Sequence, residues 1–268
     1  MISSHVPEQI AGLIARGALF VVNHSGGKDS QAMFHYVMRH VPREQVVVVH
    51  AVLPEVEWDG VIEHVQATTL GVPVHTCRSR RTLLQMIEER GMFPSPQQRQ
   101  CTSDLKRGPI ERTIRQMGHK LIVNCMGMRA QESSGRAKLA TFKFSTRNSK
   151  AGREWYDWLP IHDWTVDEVF GMIREVGQTP HWAYAAGMSR LSCVFCIMAS
   201  QADLTLAAKL NPGLYRRYVE LERSTGQTMM MPTKKHGRRT LEDITGISAA
   251  TPARFVSTEQ STMGAVPA

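Results

Sequence analysis

The sequence predicts a doubly wound, mostly parallel α/β sheet followed by a helical C-terminal extension. Short, continuous apolar runs recur at residues 18–23, 46–53, 73–77 and 121–126, as expected of strands buried on both faces. Helical periodicity separates them, the alternation that builds a parallel sheet. After Thr165 the strand signals vanish and the pattern is helical. The expected organisation is an α/β domain over residues 1–175, a helical extension over 176–247 and a loose tail over 248–268.

Residues 18–23 form the first strand, ended by the turn-forming His24-Ser25-Gly26-Gly27. A helix follows from Asp29 to about His40, with Met33, Phe34, Val37 and Met38 on one side. The second strand covers 46–53, a helix Asp59 to Leu70, a third strand Pro73 to Cys77, and a basic helix 80–90. Residues 91–103, with Pro94 and Pro96, read as a loop. Helix returns from Asp104 to Met117, with Pro109 in or near its first turn, before the fourth strand, Leu121 to Met126. Thr165 followed by Glu168 has the form of a capping box.

Composition narrows the function classes. With 268 residues and 42% hydrophobic content the chain can bury a substantial core, which excludes a disordered polypeptide. No apolar run approaches 18 residues, so no membrane span is expected. Met1-Ile2-Ser3-Ser4-His5 lacks a basic region followed by an apolar run, so a cytoplasmic protein without a secretory signal is expected. The net charge of +8 favours polyanionic partners. Five cysteines, an odd number, point to a metal site or redox chemistry rather than a disulfide framework.

The sharpest local signal is Ser25-Gly26-Gly27-Lys28-Asp29-Ser30, set between a strand and a helix. Paired glycines permit a tight turn in which successive N–H groups point at one anion, and the following helix N-terminus adds its dipole. The loop is neither a Walker A loop, since Asp29 follows Gly27-Lys28, nor a Gly-x-Gly-x-x-Gly turn. An ordinary strand-to-helix turn is the bland alternative, made improbable by the whole six-residue string.

This string resembles the PP-loop of the adenine nucleotide α-hydrolase superfamily. The resemblance implies a five-stranded Rossmann-like (HUP-type) sheet, ATP bound with its pyrophosphate in the loop, cleavage between the α and β phosphates, and Mg²⁺ bridging the phosphates. Three further segments resemble the phosphoadenosine-phosphosulfate (PAPS) reductase-like branch: Cys101-Thr102-Ser103-Asp104-Leu105-Lys106-Arg107-Gly108-Pro109, Gly127-Met128-Arg129-Ala130-Gln131-Glu132-Ser133, and Trp158 to Thr165. The nucleotide-binding set this implies is Ser25, Gly26, Gly27, Lys28, Asp29, Ser30, His50, Gly127, Arg129 and Glu132. Lys28, Asp29, Arg129 and Lys106 are its catalytic candidates. Arg129 is expected to clamp phosphate oxygens, with Glu132 holding Arg129 or a Mg²⁺ ion. A solvated surface charge is the alternative for each.

Cys193-Val194-Phe195-Cys196 lets two thiolates reach one metal, and a redox disulfide competes with that reading. By resemblance, Cys101 joins Cys193 and Cys196 at a [4Fe–4S] cluster, with zinc as the alternative. The single early cysteine departs from the Cys-Cys pair of cluster-bearing reductases. Cys77 and Cys125 read as small core residues. No cysteine occurs between Cys196 and Ala268, whereas PAPS reductases carry a late nucleophilic one. That disfavours reduction by their mechanism.

Between Arg129 and Arg153 lie seven basic residues and one acid, Glu132, with Phe142 and Phe144 interleaved, and Lys234-Lys235-His236-Gly237-Arg238-Arg239 forms a second basic cluster. Both suit nucleic acid, although solvated loops fit either cluster alone. The run His181-Trp182-Ala183-Tyr184, then Gly187-Met188-Ser189-Arg190 and the cysteine pair, resembles ATP pyrophosphatases of DNA phosphorothioation systems, the DndC or SspD type. The implied reaction is adenylation of a DNA backbone phosphate and its replacement by sulfur from a cysteine desulfurase, in a chain that can act as a homodimer. The alternatives are tRNA thiolation, a PAPS or APS reductase using Cys193 or Cys196, a sulfate adenylyltransferase, and a non-catalytic nucleotide- or DNA-binding subunit.

Overall fold

In the computed structural model, which describes residues 6–250, the four apolar runs and two further segments form one sheet in the order β3-β2-β1-β4-β6-β5. The strands are β1 (Leu19–Asn23), β2 (Val46–Ala51), β3 (Val74–Cys77), β4 (Leu121–Met126), β5 (Phe142–Phe144) and β6 (Glu154–Trp158). Five are parallel, as expected. The sheet has six strands rather than five, because β5 adds an antiparallel edge against β6. Three residues, Phe142-Lys143-Phe144, are too few for periodicity to mark them as a strand. Cross-strand packing decides instead: Phe142 stacks on Tyr156 at 5.3 Å and 8°.

The helices are α1 (Glu8–Ala15), α2 (Lys28–His40), α3 (Val61–Thr68), α4 (Leu83–Arg90), α5 (Gln100–Thr102), α6 (Gly108–Gln116), α7 (Ser134–Ala137), α8 (Val166–Glu175), α9 (Trp182–Ala185), α10 (Gln201–Leu210), α11 (Pro212–Thr225) and α12 (Leu241–Thr245). Alternation along β1 sorts its side chains by face. Phe20 and Val22 pack with Ile10, Phe34, Val37 and Val169 of α1, α2 and α8, whereas Leu19 and Val21 join Ile114 of α6 and Trp155. A third core joins Leu53 to Phe93 and Leu105 with α9 to α12, so the C-terminal helices share their interior with the segments after β2 and β3.

Several local expectations are met. Thr165 accepts from the Glu168 amide and Glu168 caps the Thr165 amide, giving α8 its capping box. The segment read as a loop at 91–103 instead becomes helical at Gln100 and continues through a π-helical turn, Ser103–Arg107, into α6. No described helix is long and apolar enough to cross a membrane. The expectations for Met1–His5, and for the tail beyond residue 250, lie outside the described residues.

Candidate functional site

The chain runs β1-β2-β3 to one side of the sheet, then places β4 on the other side of β1. This reversal opens a crevice at the carboxyl ends of β1 and β4, where open α/β sheets bind ligands. The glycine loop emerges there. Gly26 adopts φ +77°, a left-handed conformation that an L side chain would strain. A Cβ on Gly127, at the end of β4, would stand 3.2 Å from the Asp29 carbonyl oxygen, so a glycine lets β4 approach the first turn of α2.

A cavity of about 350 Å³ joins the loop to the cysteines. Ser25, Gly27, Asp29 and Ser30 line one part; Cys101, Lys106, Cys193 and Cys196 line another. Four basic side chains, Arg99, Lys106, Arg136 and Arg190, also reach it. Of these, only Lys106 was singled out from the sequence, because the other three stand outside the short motifs or carry no role within them.

Asp29 is the electrostatic hub. Its Oδ1 accepts from Arg129 Nε at 2.5 Å and its Oδ2 from Lys28 Nζ at 2.9 Å. Arg129 is 3% exposed, and its Nη1 also donates to Gln131 Oε1 at 2.9 Å and to the Trp164 carbonyl at 3.1 Å. With Nε and Nη1 committed, the guanidinium holds Asp29 rather than presenting a free fork. Arg129 and Lys28 stand behind Asp29, not on the cavity wall. Glu132 accepts from the Arg129 backbone N–H at 2.9 Å and pairs with Arg136, so it supports this turn through the main chain.

Two histidines missing partners sit below the loop. His24 Nδ1 accepts from the Gly26 N–H at 3.1 Å, which leaves the proton on Nε2, and buried Nε2 has no partner. Burial and the neighbouring imidazoles of His50, His64 and His35 push His24 down to about 3. His50 Nδ1 lies 2.8 Å from the His24 carbonyl, and its Nε2 faces Glu57 at 3.4 Å. His50 therefore reaches the cavity, where the sequence expectation puts it. His24 was overlooked, although it directly precedes Ser25.

The π-helical turn packs Leu105 fully into the core and brings Lys106 to the cysteines. Burial acts to lower the Lys106 ammonium, but the Cys193, Cys196 and Cys101 sulfurs outweigh it and leave it raised. Burial pushes the Cys193 thiol up to about 11 against the opposing effect of Lys106. Burial likewise raises Cys101. All five cysteines are free. Cys125 is fully buried among core residues; Cys77 is half-buried at the end of β3.

Three thiols open into one cavity, and the buried Tyr218 hydroxyl beside them has no partner. Among the described residues no three His, Cys, Asp or Glu side chains converge on a single ion. A mononuclear zinc site therefore has no assembled ligand set. The three thiols that line the cavity are sulfur donors of the kind that either zinc or an iron–sulfur cluster takes.

The basic stretches divide on folding. Arg129 is internal, Arg136 pairs with Glu132, and Arg147 pairs with Glu111 at 2.8 Å. Phe144 remains 48% exposed on the edge strand, beside exposed Lys143. Lys234, Lys235 and His236 are exposed on a tight turn closed by the Thr233–Gly237 bridge.

The chain is 30% identical over 137 residues to an uncharacterized 37.8 kDa protein of Escherichia phage 186, a match covering 50% of this chain and 40% of that protein. Among solved structures, a PAPS reductase from Candida auris in complex with phosphate matches with 12% identity and a TM-score of 0.46, over 72% of this chain and 98% of the other. A Candida glabrata FMN adenylyltransferase matches with 12% identity and a TM-score of 0.43, over 66% and 54%. Residues 20–199, which contain the glycine loop, Asp29, Arg129 and all five cysteines, match the phosphoadenosine phosphosulfate reductase domain, and the chain belongs to that family.

Proposed function

We propose that this protein is an ATP pyrophosphatase that adenylates an acceptor oxygen for sulfur incorporation, with a DNA backbone phosphate as the acceptor. The observation that carries this reading is the shared cavity: the phosphate loop and the three thiols open into the same space. Nucleotide activation and sulfur chemistry then need no transfer between distant sites.

In this reading the N–H groups around Gly26 and Gly27, with the Ser25 and Ser30 hydroxyls, hold the pyrophosphate. Asp29, paired with both Lys28 and Arg129, keeps the first turn of α2 in place. Lys106, Arg99 and Arg190 offset charge developing on the leaving phosphates. Mg²⁺ would neutralise phosphate charge, while the nearby carboxylates of Asp29 and Glu132 are already paired with Lys28, Arg129 and Arg136. Cys101, Cys193 and Cys196 would hold an iron–sulfur cluster, which would supply sulfur-transfer chemistry with a cysteine desulfurase as the sulfur source. Exposed Lys143 and Phe144, and the turn at 233–237, supply phosphate contacts and a stacking surface for DNA.

The test is pyrophosphate release from ATP by anaerobically purified protein, with DNA, tRNA or sulfate. Release stimulated by DNA, and reduced at least about a hundredfold in a Ser25→Ala, Asp29→Ala double variant, is the expected outcome. No release above that variant would sink the reading. The same shared cavity supports a second reading, sulfonucleotide reduction by Cys193 or Cys196. Sulfite formed from PAPS and thioredoxin, without ATP, would establish it instead.

A further inference from the structure

The cysteine loop has little regular structure of its own, yet it is held at defined points. At its ends, the buried Asp203 carboxylate accepts from the Ser189 N–H at 2.8 Å, the Ser189 hydroxyl at 2.6 Å and the Ser200 hydroxyl at 2.9 Å. In its middle, the Val194 N–H donates to the Val56 carbonyl at 2.8 Å. A third tie leads back to the phosphate loop. The Tyr184 hydroxyl accepts from the Leu191 N–H at 3.1 Å and from the Lys28 N–H at 3.1 Å.

Tyr184 is firmly seated. Its ring meets Phe170 edge-on at 6.0 Å and lies 5.6 Å from Lys28 Nζ. Helix α9, which carries it, is anchored because His181 Nε2 and Trp182 Nε1 both reach the Asp59 carbonyl, at 3.0 and 2.9 Å. A Cβ on Gly27 would stand 3.4 Å from the Tyr184 hydroxyl and 3.6 Å from Leu191 Cβ, so the glycine lets the two loops touch. Lys28 is the first residue of a 13-residue helix and directly follows Gly27, which lines the cavity, while its own N–H is taken by Tyr184. Its single N–H has one good partner at a time. An anion that draws this N–H releases the Tyr184 hydroxyl, which then keeps only Leu191, two residues before Cys193.

We propose that Tyr184 is a positioning residue that couples anion occupancy of the phosphate loop to the conformation of the cysteine loop. This rests on the phosphate-binding reading above. The coupling is reciprocal: whatever tightens Leu191 against Tyr184 alters the pyrophosphate affinity by the same factor.

The test uses the full chain and pyrophosphate as the probe. Amide exchange of residues 186–200 is followed with and without pyrophosphate in wild type, Tyr184→Phe and Asp203→Asn, with pyrophosphate binding measured by calorimetry. Tyr184→Phe keeps the ring. It should exchange roughly tenfold faster in this segment without pyrophosphate, as one lost bond implies, and should lose the pyrophosphate-dependent change seen in wild type. Asp203→Asn should loosen the same segment and retain the pyrophosphate response, which separates coupling from mere loosening. If Tyr184→Phe binds pyrophosphate and its segment responds as wild type does, the coupling is wrong. If wild type binds no pyrophosphate, the phosphate-binding reading falls first.

Discussion

The glycine loop and the cysteine loop share a cavity but are built in opposite ways. Residues 24–30 lie at a strand-to-helix junction, and their geometry is made by backbone: a left-handed Gly26, the Gly127 close approach and the α2 N-terminus. Residues 189–200 carry almost no regular structure and are held by side chains from elsewhere, namely Asp203, Tyr184 and the Phe195 ring against Tyr215 and Tyr218. The first design is local and rigid. The second depends on partners distant in sequence, which makes it the more easily moved.

The strongest way to break this contrast is Asp29→Ala, which strands the buried Arg129 guanidinium and frees Lys28. Stability should fall by about 3 kcal/mol, read from urea unfolding, and pyrophosphate binding should be lost. An unchanged unfolding midpoint would mean that the loop does not need its ion-pair hub.

Acid should open the phosphate-loop side first. Burial holds His24 at about 3 and His64 at about 4, below the unfolded value of 6.5. The unfolded chain then takes up protons that the folded one refuses, so this contribution is complete above pH 6.5 and shrinks as pH falls towards 4 and 3. For buried His24 alone, lowering pH from 6.5 to 5 should cost about 2 kcal/mol, with a smaller loss from half-exposed His64. Thermal melts across this range check it, and amide exchange should rise earlier in β1 and α2 than in α10 and α11.

Asp203→Ala sharpens the comparison from the other side. Ser189 and Ser200 lose their shared acceptor, and a cost of about 1.5 kcal/mol is expected, with protease cleavage concentrated in 189–200. ATP affinity should change less than about twofold, because Asp203 touches nothing in the phosphate loop. The smallest effect belongs to Thr165→Ala. Losing that capping box should cost about 1 kcal/mol and leave both loops as they are, which limited proteolysis with and without ATP would check.

Much of the nucleotide half was legible in the sequence. A run such as Phe20 to Val22 must be buried on both faces, glycines must turn where they stand, and Thr165 with Glu168 caps its own helix. Each is a relation within a few residues. The cysteine half was legible only as a list of donors. That Cys101, 92 residues before Cys193 in the numbering, opens into the same cavity depends on the π-helical turn and on α9 to α12 packing against Leu53 to Phe93.

The sequence by itself determined four of the parallel strands, the glycine turn at residues 25–30, the α8 cap and the set of thiols available for chemistry. Tertiary structure alone decided the sixth strand, the turning of Arg129 inward onto Asp29, the seat of Lys106 among sulfurs and the Tyr184 bridge. The physical reason is range. Backbone conformation and burial periodicity are set by neighbouring residues, whereas an ion pair or shared hydroxyl needs two segments whose meeting is decided by the packing of the whole chain.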